Sequence, residues 1–509
     1  MPTRVELFCF CVFVCSVSAD YWSERDAIIA KEQTRSVGGH LRLTDREEKV
    51  NKILMRYKYK ELDDGLVHPK NFLAGQHFFN AKKEIERSKV FNLIKKLPKG
   101  ASLHSHDMGL VSFECLYNLT YKDNLYVCTN DGPYRLQFFG DKVDKDCDWQ
   151  LVSTLRQSNS SFDCELKKRL TLVVDDPHVA YSTLNKVWKA FEDIFVAVTG
   201  LLGYEPIWRE YFYEAMKELY EDNVKYLEFR GILPQVYDTN GKIYDPFEVV
   251  GLYYDTLKKF MEDYPDFQGA KFIYTPYRKL DNKTIQDHIV IYEKLKTRYP
   301  DFIAGFDLVG QEDAGFPLTS FINELIPMQQ NGTPFFFHAG ETNWQGATTD
   351  LNLLDAVLLD TKRIGHAFAL VKHPEIMKMA KHKDIAVEIC PISNQVLKLV
   401  DDIRNHPGAV LVANDYPVVI APDDPTFWGA KGLSYDWYIA FMGMASRDDD
   451  LRLLKQLAEN SIKYSATTTS EKNDMFQHWQ EDWNRFLDEV LKEENIINCK
   501  CNSIRCQPN

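Results

Sequence analysis

The tetrapeptide His338-Ala339-Gly340-Glu341 follows the apolar run Pro334-Phe335-Phe336-Phe337. That run reads as a buried strand, so an imidazole and a carboxylate emerge at one strand mouth. Neutral imidazole is a good zinc ligand. A carboxylate three residues on can move a proton beside the metal. Alone, the tetrapeptide is weak, because a His at a strand end is often structural. Three other stretches supply what it lacks. In Leu103-His104-Ser105-His106-Asp107 the two His alternate, so an extended chain turns both to the same side, within reach of one ion. Arg363-Ile364-Gly365-His366 is a second short strand ending in His. Val418-Val419-Ile420-Ala421-Pro422-Asp423-Asp424 is an apolar run that ends in paired carboxylates. Each motif occurs by chance. All of them at the ends of apolar strands point to one site.

His104, His106, His338 and Asp423 make a three-His, one-carboxylate set that suits one zinc per chain and leaves a position open for water. Zinc lowers the pKa of bound water from about 15.7 to roughly 7. His366 and Asp423 are then placed to orient that water and take its proton. Glu341 is left as proton donor to the atom beside the attacked carbon, and Asp424 can hold a polar edge of the substrate. The reaction class is metal-assisted hydrolysis at an sp² carbon.

Such residues need elements that bring them together. From Tyr181 onward helical stretches alternate with short apolar strands. Strands are expected at Val224–Phe229, Lys271–Tyr274, Ile303–Leu308, Pro334–Phe337, Arg363–His366, Ile385–Cys390 and Val418–Ala421; with Gly100–His104 they number eight. Connections such as Asp281–Tyr299 and Leu318–Gln330 are long enough for crossover helices. Repeated strand–helix units imply a parallel sheet, and eight imply an α/β fold of the (β/α)8 TIM-barrel type. A doubly wound open sheet would spread the chemical residues along an edge, whereas a barrel gathers every strand C-terminus at one mouth. The reactive domain is expected over 98–496. Residues 20–97 read as a helical extension. Thr44-Asp45-Arg46-Glu47 fits a capping box, Val50, Ile53, Leu54 and Tyr57 follow at helical spacing, and a second helix is expected over Phe78–Lys96. This stripe would pack either on the main domain or on a second copy of the chain. Residues 111–175 are rich in Asn, Asp, Ser and Cys and read as an insertion pinned by disulfides. A last helix is expected over Glu471–Glu493, with a Cys-containing tail at 497–509.

At 509 residues, with 45% hydrophobic residues, the chain can bury a large core. Its net charge of −13 argues against a nucleic acid or an anionic membrane as the main partner. Arg4, the apolar run Phe8–Val17 and Val17-Ser18-Ala19 read as a signal peptide over 1–19. No later stretch is apolar enough to span a bilayer, so a secreted, extracellular protein is expected. Sequons at Asn118, Asn159, Asn282 and Asn331, and cysteines at 115, 128, 147, 164, 390, 499, 501 and 506, agree with export.

His104-Ser105-His106, His338-Ala339-Gly340-Glu341, Gly365-His366 and Asp423-Asp424 resemble the adenosine deaminase family. Phe306-Asp307-Leu308-Val309-Gly310, Cys390-Pro391-Ile392-Ser393-Asn394-Gln395-Val396-Leu397 and Gly429-Ala430-Lys431-Gly432-Leu433-Ser434-Tyr435-Asp436 are similar to its secreted branch, the adenosine deaminase-related growth factors, which includes the type 2 enzymes. The resemblance extends over nearly everything after residue 19. It implies the (β/α)8 barrel, one zinc, and conversion of adenosine or 2′-deoxyadenosine to inosine or deoxyinosine and ammonia. It makes His104, His106, His338 and Asp423 the metal ligands and Glu341 the donor to the ring nitrogen beside the amino-bearing carbon. His366 would act on the water. Asp424 and the Gly310 backbone would hold other ring nitrogens, Asp107 would meet the ribose, and Trp188 would line the pocket, although a helix aromatic there is equally a core residue. The resemblance also implies homodimerisation through the N-terminal helices, a Cys128–Cys147 bridge, and an insertion that binds a cell-surface receptor or glycan. Ala367, where Gly is usual, would narrow the pocket by a methyl group, and Pro422 stands where Ser is common.

Rival chemistries lack their residues. Two-metal relatives need a bridging group, often a modified Lys, where this chain has Asp307-Leu308-Val309-Gly310. A nucleotide deaminase needs cations for phosphate, and the HxE…PCxxC zinc site of the cytidine-type deaminases is absent. The rival from another class is a secreted growth factor on a deaminase scaffold, with catalysis dispensable.

Overall fold

Eight short parallel strands form the centre of the computed structural model, which describes residues 4–130 and 132–505, with side chains for 20–130 and 132–496. In chain order the strands are β1 (Gly100–Ser102), β2 (Leu125–Cys128), β3 (Arg135–Phe138), β4 (Gln150–Leu151), β5 (Val224–Gly231), β6 (Val236–Tyr237), β7 (Ile243–Tyr244), β8 (Ala270–Tyr274), β9 (Ile303–Phe306), β10 (His338–Ala339), β11 (Arg363–His366), β12 (Ala386–Ile389) and β13 (Val418–Ile420). β1-β5-β8-β9 and β10-β11-β12-β13 are two parallel sheets. A bridge between Phe306 and Phe335 joins them on one side, and a bridge between Ser105 and Asp423 on the other. The ring is thereby complete. Val418, Val419 and Ile420 are all buried, as a strand covered on both faces requires.

The crossover helices begin where their sequences supply caps. Asp245 accepts from the amides of Phe247 and Glu248, Glu248 returns to the Asp245 amide, and Pro246 fills the first position of the helix Pro246–Asp263. Asp281 caps Asn282–Arg298 through the Thr284 amide.

The N-terminal extension packs on the main domain. Thr44 and Glu47 form the expected capping box of the helix Asp45–Val67. Its buried face includes Val50, Ile53, Leu54 and Met55. Trp483 donates to Glu47 (2.9 Å), and the buried Lys58 ammonium donates to the carbonyls of Ser446 (2.7 Å) and Asp449 (2.6 Å). The apolar stripe around Val50 is thus used within the chain. Preceding it, the helix Arg4–Arg35 leaves Tyr21, Trp22 and Ile28 exposed.

Four expectations need correction. Phe78–Lys96 is two helices, Phe78–Ile85 and Lys89–Lys96, because Ser88 breaks the run and caps the second helix through the Phe91 amide (3.1 Å). Pro334–Phe337 is not the laddered strand; the ladder starts at His338. The Thr361 hydroxyl accepts from the Phe337 amide (3.3 Å), taking the place of a strand partner. In the insertion, only Cys128 and Cys147 are bridged, while Cys115 and Cys164 remain thiols. There the strands form an antiparallel sheet ordered β3-β2-β4 rather than loop alone. Finally, the last helix is longer than expected, Thr469–Arg505. The side chains of residues 1–19, where a signal peptide is expected, and of Cys499, Cys501 and Cys506 lie outside the described residues. Among those described, no helix is long and apolar enough to cross a membrane.

Replacing Cys128 and Cys147 by Ala should lower the stability of the insertion by roughly 3 kcal/mol, the loop-closure value for a ring of this size. Limited proteolysis checks this: cleavage within 125–150 should accelerate, with the barrel intact.

Candidate active site

Ring closure brings together residues that are more than 300 positions apart. His104 and His106 leave the end of β1, His338 opens β10, His366 ends β11, and Asp423 follows β13. The ring centroids of His104 and His338 are 4.7 Å apart, those of His106 and His338 5.3 Å, and those of His104 and His106 5.5 Å. Asp423 Oδ1 lies 3.3 Å from His104 Nε2 and 3.1 Å from His106 Nε2. The ligating atoms of His104, His106 and His338 fall within 4.8 Å of one another. His104 Nε2 and Asp423 Oδ1 are buried and have no hydrogen bond. Buried polar atoms ordinarily have partners, so these two point to a cation between them. Burial lowers the His338 pKa to about 4 and depresses His106 too, which keeps both rings neutral and able to ligate. Imidazoles with one carboxylate fit zinc.

A second layer of charge holds these ligands, and motif reading did not assign it a role. His104 Nδ1 meets Glu388 Oε2 at 2.7 Å, and His338 Nδ1 meets Asp307 Oδ2 at 2.6 Å. Arg230 joins the two carboxylates, at 2.9 Å to Asp307 and 2.7 Å to Glu388. Arg363 then ties Glu388 (2.5 Å) to Glu228 (2.7 Å). All are buried. Burial alone would raise Glu388, but Arg230, Arg363 and His104 hold its carboxyl well below the ordinary range. An anionic partner on Nδ1 fixes the ring so that Nε2 is free for metal. The available signal was a charged residue inside an otherwise apolar strand: Glu228 and Arg230 in β5, Arg363 in β11, and Glu388 in β12.

Around this centre stand the groups that could move protons. His366 Nε2 is 3.7 Å from Glu341 Oε1 and 3.9 Å from Asp423 Oδ2. Burial, and then the charges of Asp423 and Glu312, push the Glu341 carboxyl well above its usual range, which favours the protonated form of an acid. Burial and Asp423 do the same to Asp424. Buried Glu312 positions the Glu341 segment by accepting from the amides of Gly340 (3.0 Å) and Glu341 (2.5 Å). His366 (φ 60°), Ala367 (φ 45°) and Asp423 (φ 61°) occupy the left-handed region, at about 1–3 kcal/mol each. Such strain clusters where side chains are held for function. Ala367 is buried but does not line the cavity, so its methyl group does not narrow the pocket as the sequence implied.

Above the centre is a cavity of about 420 Å³. All the sequence-predicted site residues except His104, which lies behind, line it: Asp107, Trp188 and Gly310, together with His106, His338, Glu341, His366, Asp423 and Asp424. Trp188 packs edge-on against Phe191 (centroids 5.6 Å apart) as an apolar wall. Asp107 accepts from the Tyr253 hydroxyl (2.9 Å), and burial pushes its carboxyl up to about 7. Gly310 (φ 105°) lies against the Tyr277 ring, where a Cβ would come within 2.4 Å. Sequence reading missed Glu192, which lines the cavity and accepts from Tyr277 (2.6 Å) and Lys279 (2.9 Å). The lining contains no Lys or Arg. It suits an uncharged planar molecule and lacks the cations a phosphate demands.

Known proteins are similar to this chain over most of its length. The family model described as adenosine deaminase matches residues 170–499, and one described as adenosine/AMP deaminase N-terminal matches 7–94. An adenosine deaminase of Lutzomyia longipalpis is 46% identical over 475 residues, covering 92% of this chain and 93% of its own. Adenosine deaminase 2 of Homo sapiens is 44% identical over 479 residues, with 92% and 93% covered. In fold, the chain is similar to Arabidopsis ADAL complexed with IMP (TM-score 0.57, 17% identity, 77% of this chain and 99% of that one). It is also similar to a cog1816 amidohydrolase from Burkholderia ambifaria with bound zinc (TM-score 0.54, 19% identity, 79% and 95%).

Glu388→Gln keeps the shape but removes the charge behind His104. It should weaken metal binding by about 10- to 100-fold, measured by competition with a chelator, with the fold retained by circular dichroism.

Proposed function

This chain belongs to the adenosine deaminase family and is an adenosine deaminase, and we propose the form that activity takes: a secreted enzyme with one zinc per chain that hydrolyses adenosine, and 2′-deoxyadenosine, to inosine or deoxyinosine and ammonia. The observation that carries this reading is the convergence of His104, His106, His338 and Asp423 beneath a cavity whose inner wall includes Glu341. Those four residues would hold the ion. Bound there, zinc supplies Lewis acidity, bringing the ionisation of water from about 15.7 to near 7.

The remaining steps belong to side chains. Asp423 and His366 orient the attacking water, and its proton leaves to one of them. Glu341, kept protonated by burial, gives its proton to the ring nitrogen beside the amino-bearing carbon. The water oxygen bonds to that carbon, the proton taken from the water passes to the amino group, the carbon–nitrogen bond breaks so that ammonia departs, and the remaining hydroxyl proton returns to Glu341 as the carbonyl forms. Asp424 and the Gly310 backbone hold other ring nitrogens, Asp107 faces the ribose, and Trp188 covers the base. A lining with acidic groups and no Lys or Arg favours nucleoside over nucleotide.

Export is supported by the exposure of all four sequon asparagines, Asn118, Asn159, Asn282 and Asn331, and by the Cys128–Cys147 bridge. Tyr21, Trp22 and Ile28 on the first helix are the surface we assign to homodimerisation, and the insertion sheet is the surface we assign to a receptor or glycan. A ligand role with catalysis dispensable is the weaker alternative, because the full acid and ligand set is retained.

An ultraviolet assay tests the reading: adenosine and 2′-deoxyadenosine should be consumed and AMP should not. Glu341→Gln should lower turnover by about 100- to 10,000-fold with zinc still bound. Metal analysis should give one zinc per chain; two would reject the single-metal form.

A further inference from the structure

His366 is held from behind by a relay that starts at a backbone amide. The Gly408 N–H donates to His406 Nδ1 at 2.9 Å. A backbone N–H is always a donor, so Nδ1 must accept, and the proton of the neutral His406 ring sits on Nε2. His406 is buried, edge-on to Phe368 (centroids 5.2 Å apart), and burial lowers its pKa to about 3, in keeping with a neutral ring. His406 Nε2 meets Asn394 Oδ1 at 2.9 Å. The opposite amide orientation would set an NH₂ against an N–H, so the carbonyl oxygen must face His406. The Asn394 NH₂ therefore faces His366 Nδ1, 3.1 Å away. That nitrogen accepts, and the proton of the neutral His366 ring sits on Nε2, the atom turned toward Glu341 and Asp423.

We propose that Asn394 and His406 are positioning residues that fix the tautomer of His366, so that its Nε2 carries the proton and faces the attacking water as a hydrogen-bond donor. The inference rests on the deaminase reading of the site and gives His366 the donor's part in orienting the water. It also gives a physical reason for the burial of these two polar side chains. A buried amide costs stability unless both its ends are satisfied, and here each end meets an imidazole of defined tautomer. The relay crosses three elements: the turn before the helix Gly408–Ala413, the helix Pro391–Val396, and the end of β11. His366 itself stands at φ 60°, so its ring is aimed by both backbone and partner.

The first test does not depend on turnover. In histidine-¹⁵N-labelled protein, with and without zinc, the His366 signals can be assigned by their loss in His366→Gln. A protonated Nε2 with a bare Nδ1 is expected, and the reverse tautomer overturns the proposal. The second test exchanges donor for acceptor. Asn394→Asp is nearly isosteric but offers oxygen to His366 Nδ1. It should lower kcat by about 10- to 100-fold, in the range of outer-shell partners, with KM changed less than about twofold, zinc content kept and the His366 tautomer reversed. The third pair separates relay from packing. His406→Gln can still donate to Asn394 and should keep kcat within about threefold, whereas His406→Leu should fall as Asn394→Asp does. Wild-type kcat in Asn394→Asp or His406→Leu would overturn the proposal. If the native protein fails to deaminate adenosine, the function reading is wrong, yet the tautomer measurement still decides the relay.

Discussion

Arg230 is the interaction on which the centre depends. Its guanidinium lies in the barrel floor with no exposure and bonds both to Asp307, behind His338, and to Glu388, behind His104. One cation thus sets the spacing of two ligand rings on strands that are far apart in sequence. Two carboxylates this close would repel if left alone in a medium of low dielectric constant. Arg230 between them, and Arg363 beyond, turn repulsion into a fixed lattice. Buried ion pairs of this kind contribute little net stability compared with apolar packing, but removing one partner costs about 3–5 kcal/mol because the other charge is stranded. Fixed geometry beneath the site is what the lattice supplies.

Much of this was legible in the sequence, for reasons that can be named. The (β/α)8 plan was readable because short apolar runs, such as Val418-Val419-Ile420, lie at or beside the barrel strands, and because capping residues such as Asp245 and Asp281 mark the crossover helices. The site was readable because metal chemistry restricts residue types, and His104, His106, His338 and Asp423 all fall just at or beyond strand ends. The cation lattice was harder to read. Arg230, Arg363 and Glu388 look like interruptions of apolar strands until their partners are seen across the barrel. Local interceptions were harder still. Thr361 takes the Phe337 amide, and Ser88 splits one helix into two, and both are decided by a single hydrogen bond. The Asn394–His406 relay could not be read at all, since its direction follows from a contact with the Gly408 amide.

The cavity shows how one scaffold separates roles among like groups. Glu341, Asp423 and Asp424 are all buried carboxyls, yet they are not equivalent. Burial opposes ionisation in each, but the adjoining imidazoles of His104 and His106 hold Asp423 well below the ordinary range, while Glu341 and Asp424 are pushed above it. Proximity to the imidazole cluster decides which carboxyl is base-like and which is acid-like. The enzyme's division of labour therefore follows from position more than from residue type.

Ring closure between Ser105 and Asp423, and the seating of the Asp45–Val67 helix against Trp483, Ser446 and Asp449, have a consequence for biosynthesis. A nascent chain that has displayed its first two ligand histidines, His104 and His106, must wait for more than 300 further residues before the last ligand, Asp423, arrives. Its first helices wait longer still for the surface that covers them. Through most of translation those apolar faces have no native partner, so this architecture relies on whatever shields the growing polypeptide until its C-terminal helices emerge.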